Sequence, residues 1–285
     1  MEVLNSMSAE GPKPRAWGDR NPRLDGKRVG LIIPSVNATI EPEFAWVAPP
    51  GISFHAARIM LRETTPDGLR AMNEGIDSAV RLLASLSPDA VGYACTSGSF
   101  LEGRARLSAQ VDAISRVAGC PVVATSAALI DALGALRIRR VALATPYLDA
   151  INRAERTFLE DHEVDVVSVR GLGLSGAAIR EVAPETVFAL ACDADCEAAE
   201  AVFLSCTDLR ALEVVDALEA RLRKPVLTSN QVTLWALLRV LGRESHITGF
   251  GRLLRLNDPP TPAADAAARP PEGADSRLVT APRRS

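Results

Sequence analysis

Short, unbroken apolar runs alternate with amphipathic stretches through the middle of this chain. Runs at 29–33, 90–94, 122–124, 141–144, 164–169, 201–204 and 226–227 are rich in Val, Ile and Ala and lack the polar alternation of a half-exposed strand. That pattern predicts strands buried on both faces of a parallel sheet. Met72, Ile76, Val80, Leu83 and Leu86 fall at helical spacing, as do Leu107, Val111, Ile114 and Val117. Leu209, Leu212, Val215, Leu218 and Leu222 predict a further helix directly behind Cys206. Thr65-Pro66 reads as an N-cap with Pro at the first helical position, and 52–60 as a strand near a sheet edge.

The pattern repeats once. Val29-Gly30-Leu31-Ile32-Ile33-Pro34-Ser35 answers Val141-Ala142-Leu143-Ala144-Thr145-Pro146-Tyr147, and Pro121-Val122-Val123-Ala124-Thr125-Ser126 answers Pro225-Val226-Leu227-Thr228-Ser229-Asn230. Between these landmarks, Val91-Gly92-Tyr93-Ala94-Cys95-Thr96 answers Val202-Phe203-Leu204-Ser205-Cys206-Thr207. The offsets, roughly 105 to 112 residues, are far too long for a solenoid and imply two related domains. The predicted architecture is α/β, with two pseudo-twofold-related, doubly wound parallel sheets. The first domain is expected over 28–138, rejoined by a helix around 232–257, and the second over 139–231. Residues 1–27 and 258–285 are rich in Pro, Gly, Ala and Arg without periodicity, so both are expected to be flexible extensions.

Composition narrows the function classes. A net charge of −3 gives no electrostatic footprint for nucleic acid. No apolar run approaches the roughly 20 residues needed to span a bilayer, and the first residues lack the compact apolar stretch of a secretory signal. Five cysteines, an odd number without framework spacing, are read as reduced thiols of a cytoplasmic protein. Whether the chain forms a homo-oligomer is left open.

Cys95 and Cys206 carry the chemistry. Each closes an apolar run and precedes small or hydroxyl residues, so each is expected at a strand end, beside unpaired N–H groups and the positive end of a helix. Such surroundings favour thiolate over the few per cent expected from a free pKa of about 8.5. Two thiols at equivalent ends of facing sheets suggest a pair acting on opposite sides of one substrate. Other motifs are weaker. Gly171-Leu172-Gly173-Leu174-Ser175-Gly176 matches a dinucleotide fingerprint but reads as a loop. Cys192 and Cys196 flank two Asp without a histidine motif, and Cys120 reads as packing, so no metal site and no cofactor are expected.

Pro34-Ser35-Val36-Asn37-Ala38-Thr39-Ile40-Glu41, Ala94-Cys95-Thr96-Ser97-Gly98, Thr145-Pro146-Tyr147, Ser205-Cys206-Thr207-Asp208-Leu209-Arg210 and Ser229-Asn230-Gln231 resemble the maleate isomerase and arylmalonate decarboxylase branch of the aspartate/glutamate racemase superfamily. The resemblance spans about 28 to 257 and implies cofactor-free chemistry on small mono- or dicarboxylic acids. It implies that Cys95 attacks the alkene carbon in isomerases, that Cys206 handles the proton, and that decarboxylases keep only the second cysteine. It departs at 174–177, where isomerases often carry a ligand-binding Asn, which leaves the identity of the acid open.

The expected contacts to substrate are Asn37, Thr96, Ser97, Tyr147, Thr207 and Asn230. Hydroxyls and amides at a helix start bind carboxylates, and Tyr147 is expected to donate to a carboxylate or enolate oxygen. The same hydroxyls also serve as helix caps, and Asn37 and Asn230 as turn residues. The sequence thus points to a cofactor-independent cis-trans isomerase of a small unsaturated dicarboxylic acid. The alternatives are a two-thiol racemase of an amino acid or hydantoin, and a catalytically silent small-acid binding protein akin to those of ectoine catabolism.

Overall fold

The computed structural model describes residues 25–243 and 246–256. The expected extensions lie outside these residues, apart from 25–27 at the first boundary, where Lys27 already opens a strand.

In chain order the first half comprises β1 (Lys27–Pro34), α1 (Ile40–Val47), β2 (Ile52–Ile59), α2 (Pro66–Asn73), α3 (Ile76–Ala84), β3 (Ala90–Tyr93), α4 (Thr96–Phe100), α5 (Gly103–Ala118), β4 (Val122–Ala124) and α6 (Thr125–Ala135). The second half comprises β5 (Arg140–Thr145), α7 (Asp149–Glu160), β6 (Asp165–Gly171), α8 (Pro184–Ala194), β7 (Ala201–Leu204), α9 (Val215–Leu222), β8 (Val226–Thr228) and α10 (Ser229–Val240). The sheets run β2-β1-β3-β4 and β6-β5-β7-β8, and every pairing is parallel. The same strand order twice over is the structural form of the sequence repeat, and it is the two-sheet α/β architecture expected from it.

The central strands need no polar face, because helices cover both sides. β3 and β7 are buried along their whole length, which is why Ala-Val-Gly-Tyr and Ala-Val-Phe-Leu carry no charge. β2 lies at an edge, as its mixed pattern predicts.

Three helical expectations change in detail. The 72–86 periodicity is broken at Glu74-Gly75 into α2 and α3, and Thr65 Oγ1 does cap the first of these through the Gly68 N–H at 3.1 Å. The helix expected directly after Cys206 starts only at Val215, behind a turn and a 3-10 segment at Leu212–Val214. The expected C-terminal helix is shorter, ending at Val240, and 246–256 is irregular around a 3-10 turn.

α10 follows a strand of the second sheet but packs on α6 and against β3 and β4 of the first half. Thr125 Oγ1 and Thr233 Oγ1 lie 2.9 Å apart across the α6–α10 contact. The halves also meet where Phe100 at the end of α4 approaches Phe158 of α7, with ring centroids 6.2 Å apart. Both cysteines therefore lie at the carboxyl ends of their strands, on the side where the halves face each other.

Candidate active site

Two loops end on the same cleft. Cys95 caps α4, accepting from the Gly98 N–H at 3.3 Å, with Ser97 Oγ 3.9 Å from the sulfur. Gly98 is required there: a Cβ would run into the Tyr93 hydroxyl and come within 2.7 Å of the Met72 methyl and 3.0 Å of Cys95 Sγ. Cys206 follows β7 with φ of +99°, in the left-handed region that L side chains rarely adopt. Its N–H donates to Ser229 Oγ at 2.9 Å, and its sulfur accepts from the Asp208 N–H at 3.4 Å. Strain of this kind persists only where the surroundings over-determine the backbone.

The surroundings here form a polar seam across the halves. Thr96 Oγ1 donates to Ser229 Oγ at 2.8 Å, the same oxygen that receives the Cys206 N–H. Thr207 Oγ1 donates to Ala94 O at 3.2 Å and accepts from Asn37 Nδ2 at 3.0 Å. Asn37 Oδ1 in turn accepts the N–H groups of Thr39 and Ile40, each at 3.1 Å, at the start of α1. Arg58, paired with Glu41, holds this loop by donating to Asn37 O at 2.6 Å.

The cleft is lined by Asn37, Cys95, Thr96, Ser97, Tyr147, Cys206, Thr207 and Asp208, and roofed by Leu61 and Thr64 from one half and Gly176 and Ile179 from the other. The roof is pinned by Thr64 N–H to Ser175 Oγ at 3.0 Å, Gly176 N–H to Thr64 Oγ1 at 3.1 Å, and Arg180 to Val36 O at 2.8 Å. The free volume is about 20 Å³, room for about one water molecule and too little for a four-carbon acid with the side chains as they stand. Larger hollows of about 450 and 650 Å³ lie on the outer surface, between α3 and α5 and beside α6 and α10, away from both sulfurs.

Six of the expected residues besides the sulfurs were named from sequence, and five line the cleft. Asn230 does not. Its amide donates to Glu43 Oε2 at 2.6 Å and to Thr207 O at 3.0 Å, so it braces the Cys206 loop from behind. Tyr147 is in place, but its hydroxyl is hydrogen-bonded to Cys206. Sequence reasoning missed Asp208, Thr64 and Ile179 on the walls, and the buried carboxyls Glu43 and Glu155. The glycine-rich segment after β6 leads into a short 3-10 turn at Gly176–Ile179 rather than a phosphate-binding helix. Among the described residues no group of three or more His, Cys, Asp or Glu is placed to hold a metal ion.

The expectation of ready thiolates fails in this closed cleft. Burial pushes Cys95 up to about 11, against the pull of the Gly98 N–H and the Ser97 hydroxyl. Burial pushes Cys206 to about 12, with the Asp208 and Cys95 charges adding to the rise and the Asp208 N–H and Tyr147 opposing it. α4 is only five residues long and no helix begins at Cys206, so neither sulfur gains enough from a helix end to offset desolvation. Cys206, unlike Cys95, has a carboxylate close by, that of Asp208, which disfavours its ionisation.

Two buried acids stand at equivalent places on α1 and α7. Burial raises Glu43 to about 7 and Glu155 to about 8. Glu155 Oε1 accepts from Ser205 Oγ at 2.6 Å, directly before Cys206. Both folded values exceed the free value of 4.5, so the folded chain keeps protons that the unfolded chain releases. The stability they contribute is complete below about pH 4.5 and is lost as pH rises through 7 and 8. Chemical unfolding at pH 5.5 and 8.5 should show a drop on the order of a few kcal/mol, and Glu155→Gln should remove much of it. A drop undiminished in that variant would show that Glu155 is not protonated in the folded chain. The Cys206 backbone gives a second expectation: Cys206→Gly should be more stable than Cys206→Ala, by about 1 kcal/mol in the same assay. Equal stability would mean that the positive φ carries no cost.

Comparison with known proteins agrees with this geometry. A sequence model described as arylmalonate decarboxylase matches residues 29–254. Arylmalonate decarboxylase of Bordetella bronchiseptica is 32% identical over 230 residues, covering 79% of this chain and 95% of that protein. Maleate isomerase of Nocardia farcinica is 30% identical over 240 residues, covering 80% and 96%. Maleate isomerase Iso of Pseudomonas putida S16, solved as a cysteine-to-alanine variant with maleate, superposes with a TM-score of 0.78 at 26% identity, over 80% of this chain and 97% of that one. A cysteine-to-serine mutant of the Nocardia farcinica maleate cis-trans isomerase, solved with a covalently bound succinylcysteine intermediate, gives 0.77 at 28% identity, over 80% and 98%. With its repeated sheets, facing cysteines and match over most of its length, the chain belongs to the arylmalonate decarboxylase family.

Proposed function

We propose that the protein is a cofactor-independent cis-trans isomerase of a small unsaturated dicarboxylic acid, with maleate to fumarate as the type reaction. The observation that carries this reading is that Cys95 and Cys206, one from each half, line a single buried cleft. The succinylcysteine carried by the Nocardia farcinica relative supports it, as does the presence of a thiol at both positions rather than at the second alone.

The two sulfurs share one proton in this mechanism. Cys95, as thiolate, adds to one alkene carbon, and the alkene electron pair takes the Cys206 proton at the neighbouring carbon. What was a double bond is now a single bond, free to rotate. Cys206, now the thiolate, removes a proton from that neighbouring carbon, the C–S bond breaks, and Cys95 leaves as thiolate with the trans product. Nothing is oxidised or reduced. The charge on one sulfur raises the other, so a thiolate on Cys95 keeps the proton on Cys206 until carbon takes it.

The walls serve distinct purposes in this reading. The Tyr147 hydroxyl donates to Cys206 and stabilises it as thiolate after the proton has left. Asn37 Nδ2 gives one of its two protons to Thr207 and keeps the second for a carboxylate, and the Ser97 hydroxyl stands beside the Cys95 sulfur. Thr96 and Thr207 already donate to Ser229 Oγ and Ala94 O and so hold the wall in place without reorganisation. The roof excludes water, which would otherwise compete for the carbanion-like intermediate.

Each cysteine should fail in its own way. Cys206→Ser incubated with the cis-alkene acid should accumulate one substrate mass on the peptide carrying Cys95, while Cys95→Ser should carry no adduct at all. Both should lose about 10²-fold or more in turnover. Mass spectrometry after rapid quench reads both outcomes. An adduct confined to Cys206 would reverse the roles. Absence of adducts, together with solvent-deuterium uptake into a saturated amino acid, would replace this reading with the racemase alternative.

A further inference from the structure

One group in the cleft has no task in the mechanism above. Asp208 lines the cavity two residues beyond Cys206 and is 5% exposed. Its Oδ1 accepts the Ala38 N–H at 2.8 Å, ahead of α1. Its Oδ2 is buried and has no hydrogen-bond partner among the described residues. Its own N–H lies 3.4 Å from Cys206 Sγ, which places the residue at the proton-handling end of the cleft.

The rest of the wall makes this carboxylate conspicuous. The residues lining the cavity include no Lys, Arg or His. Burial raises the Asp208 carboxyl above its ordinary range, opposed by the Ala38 N–H, the Thr39 hydroxyl and N–H, and Arg180, a roof residue that donates to Val36 O at 2.8 Å and pairs with Glu181 at 3.4 Å. The contacts to Ala38 and Thr39 are structural, Thr39 Oγ1 also donating to Asp208 O at 3.0 Å, and they leave Oδ2 without a hydrogen-bond partner among the described residues. An acceptor buried without a donor is costly, and the cost is recovered when a ligand supplies one. A substrate N–H would favour the ionised carboxylate that burial disfavours, whereas a second carboxylate in the same place would meet either like charge or an acid that must keep its proton.

We propose that Asp208 is a specificity-determining residue whose free carboxylate oxygen accepts a hydrogen bond from the substrate, so that the preferred substrate is a cis-alkene monoacid bearing an N–H donor, the half-amide of the diacid being the simplest member. This rests on the two-sulfur isomerase reading and replaces the diacid of the type reaction by its half-amide as the preferred substrate. One carboxylate binds among the hydroxyls and amides near Cys95, and the amide nitrogen faces Asp208. The alkene between them keeps one activating carbonyl on each side, so the addition and elimination at the two sulfurs proceed unchanged.

The test compares maleate with its half-amide on the wild-type protein and on Asp208→Asn, following both isomers by NMR. The wild type should favour the half-amide in kcat/KM by about 10-fold or more. Asp208→Asn retains an acceptor for Ala38 and offers N–H where Oδ2 stood, so the preference should swing toward the diacid by about 10- to 100-fold, mostly through KM. A purely structural role would lower activity on both acids alike and leave the ratio fixed. That result, or a wild-type preference for the diacid, overturns the inference. If the variant does not fold, the wild-type preference decides alone. If neither acid is turned over and neither leaves an adduct on Cys95, the isomerase reading itself falls and takes this inference with it.

Discussion

The hydrogen-bonded seam between the halves is the constraint on which the rest of the site depends. Ser229 Oγ receives both Thr96 Oγ1 and the Cys206 N–H, and Thr207 joins Asn37 to Ala94. These groups are almost wholly buried, so breaking any of them would strand a polar atom at a cost of about 1–3 kcal/mol. The seam therefore fixes the relation between two loops that are far apart in sequence. It also holds Cys206 at a positive φ that no local preference would select.

Burial that secures the seam also sets the state of the sulfurs. A buried cleft disfavours charge, and burial raises both thiols above their ordinary range. The Gly98 N–H, Ser97 and Tyr147 are placed to receive sulfur charge. Glu43 and Glu155 extend the same logic one layer outward. Burial shifts both toward the neutral acid, Glu155 to about 8 and Glu43 to about 7, and both brace the Cys206 loop from behind. Asp208 is the exception, a carboxyl on the wall itself, and substrate choice is the role its free oxygen suits.

Much of this was legible in sequence, for local reasons. Strands buried on both faces announce themselves as runs without polar residues, and 90–94 and 201–204 are unmistakable in that sense. Duplication then placed Cys95 and Cys206 on matching strand ends. What could not be read depends on the third dimension. Glu43 and Glu155 look like ordinary helix-surface acids until the helices are docked. Asn230 shares a strand-end motif with true wall residues, yet it faces α1 because Thr228 caps α10 and turns the next side chains inward. The helix dipole expected at Cys206 vanished because 207–214 forms a turn and a 3-10 segment instead. Desolvation, which reverses the expected charge state of both thiols, leaves no local trace.

The most direct test of this account is the ionisation of the two thiols in the resting protein. Cysteine labelled with ¹³C at Cβ reports thiolate formation through its chemical shift, and single substitutions at each position assign the signals. The account predicts that neither Cys95 nor Cys206 titrates between about pH 6 and 9. A thiolate already present near pH 7 at either sulfur would contradict it.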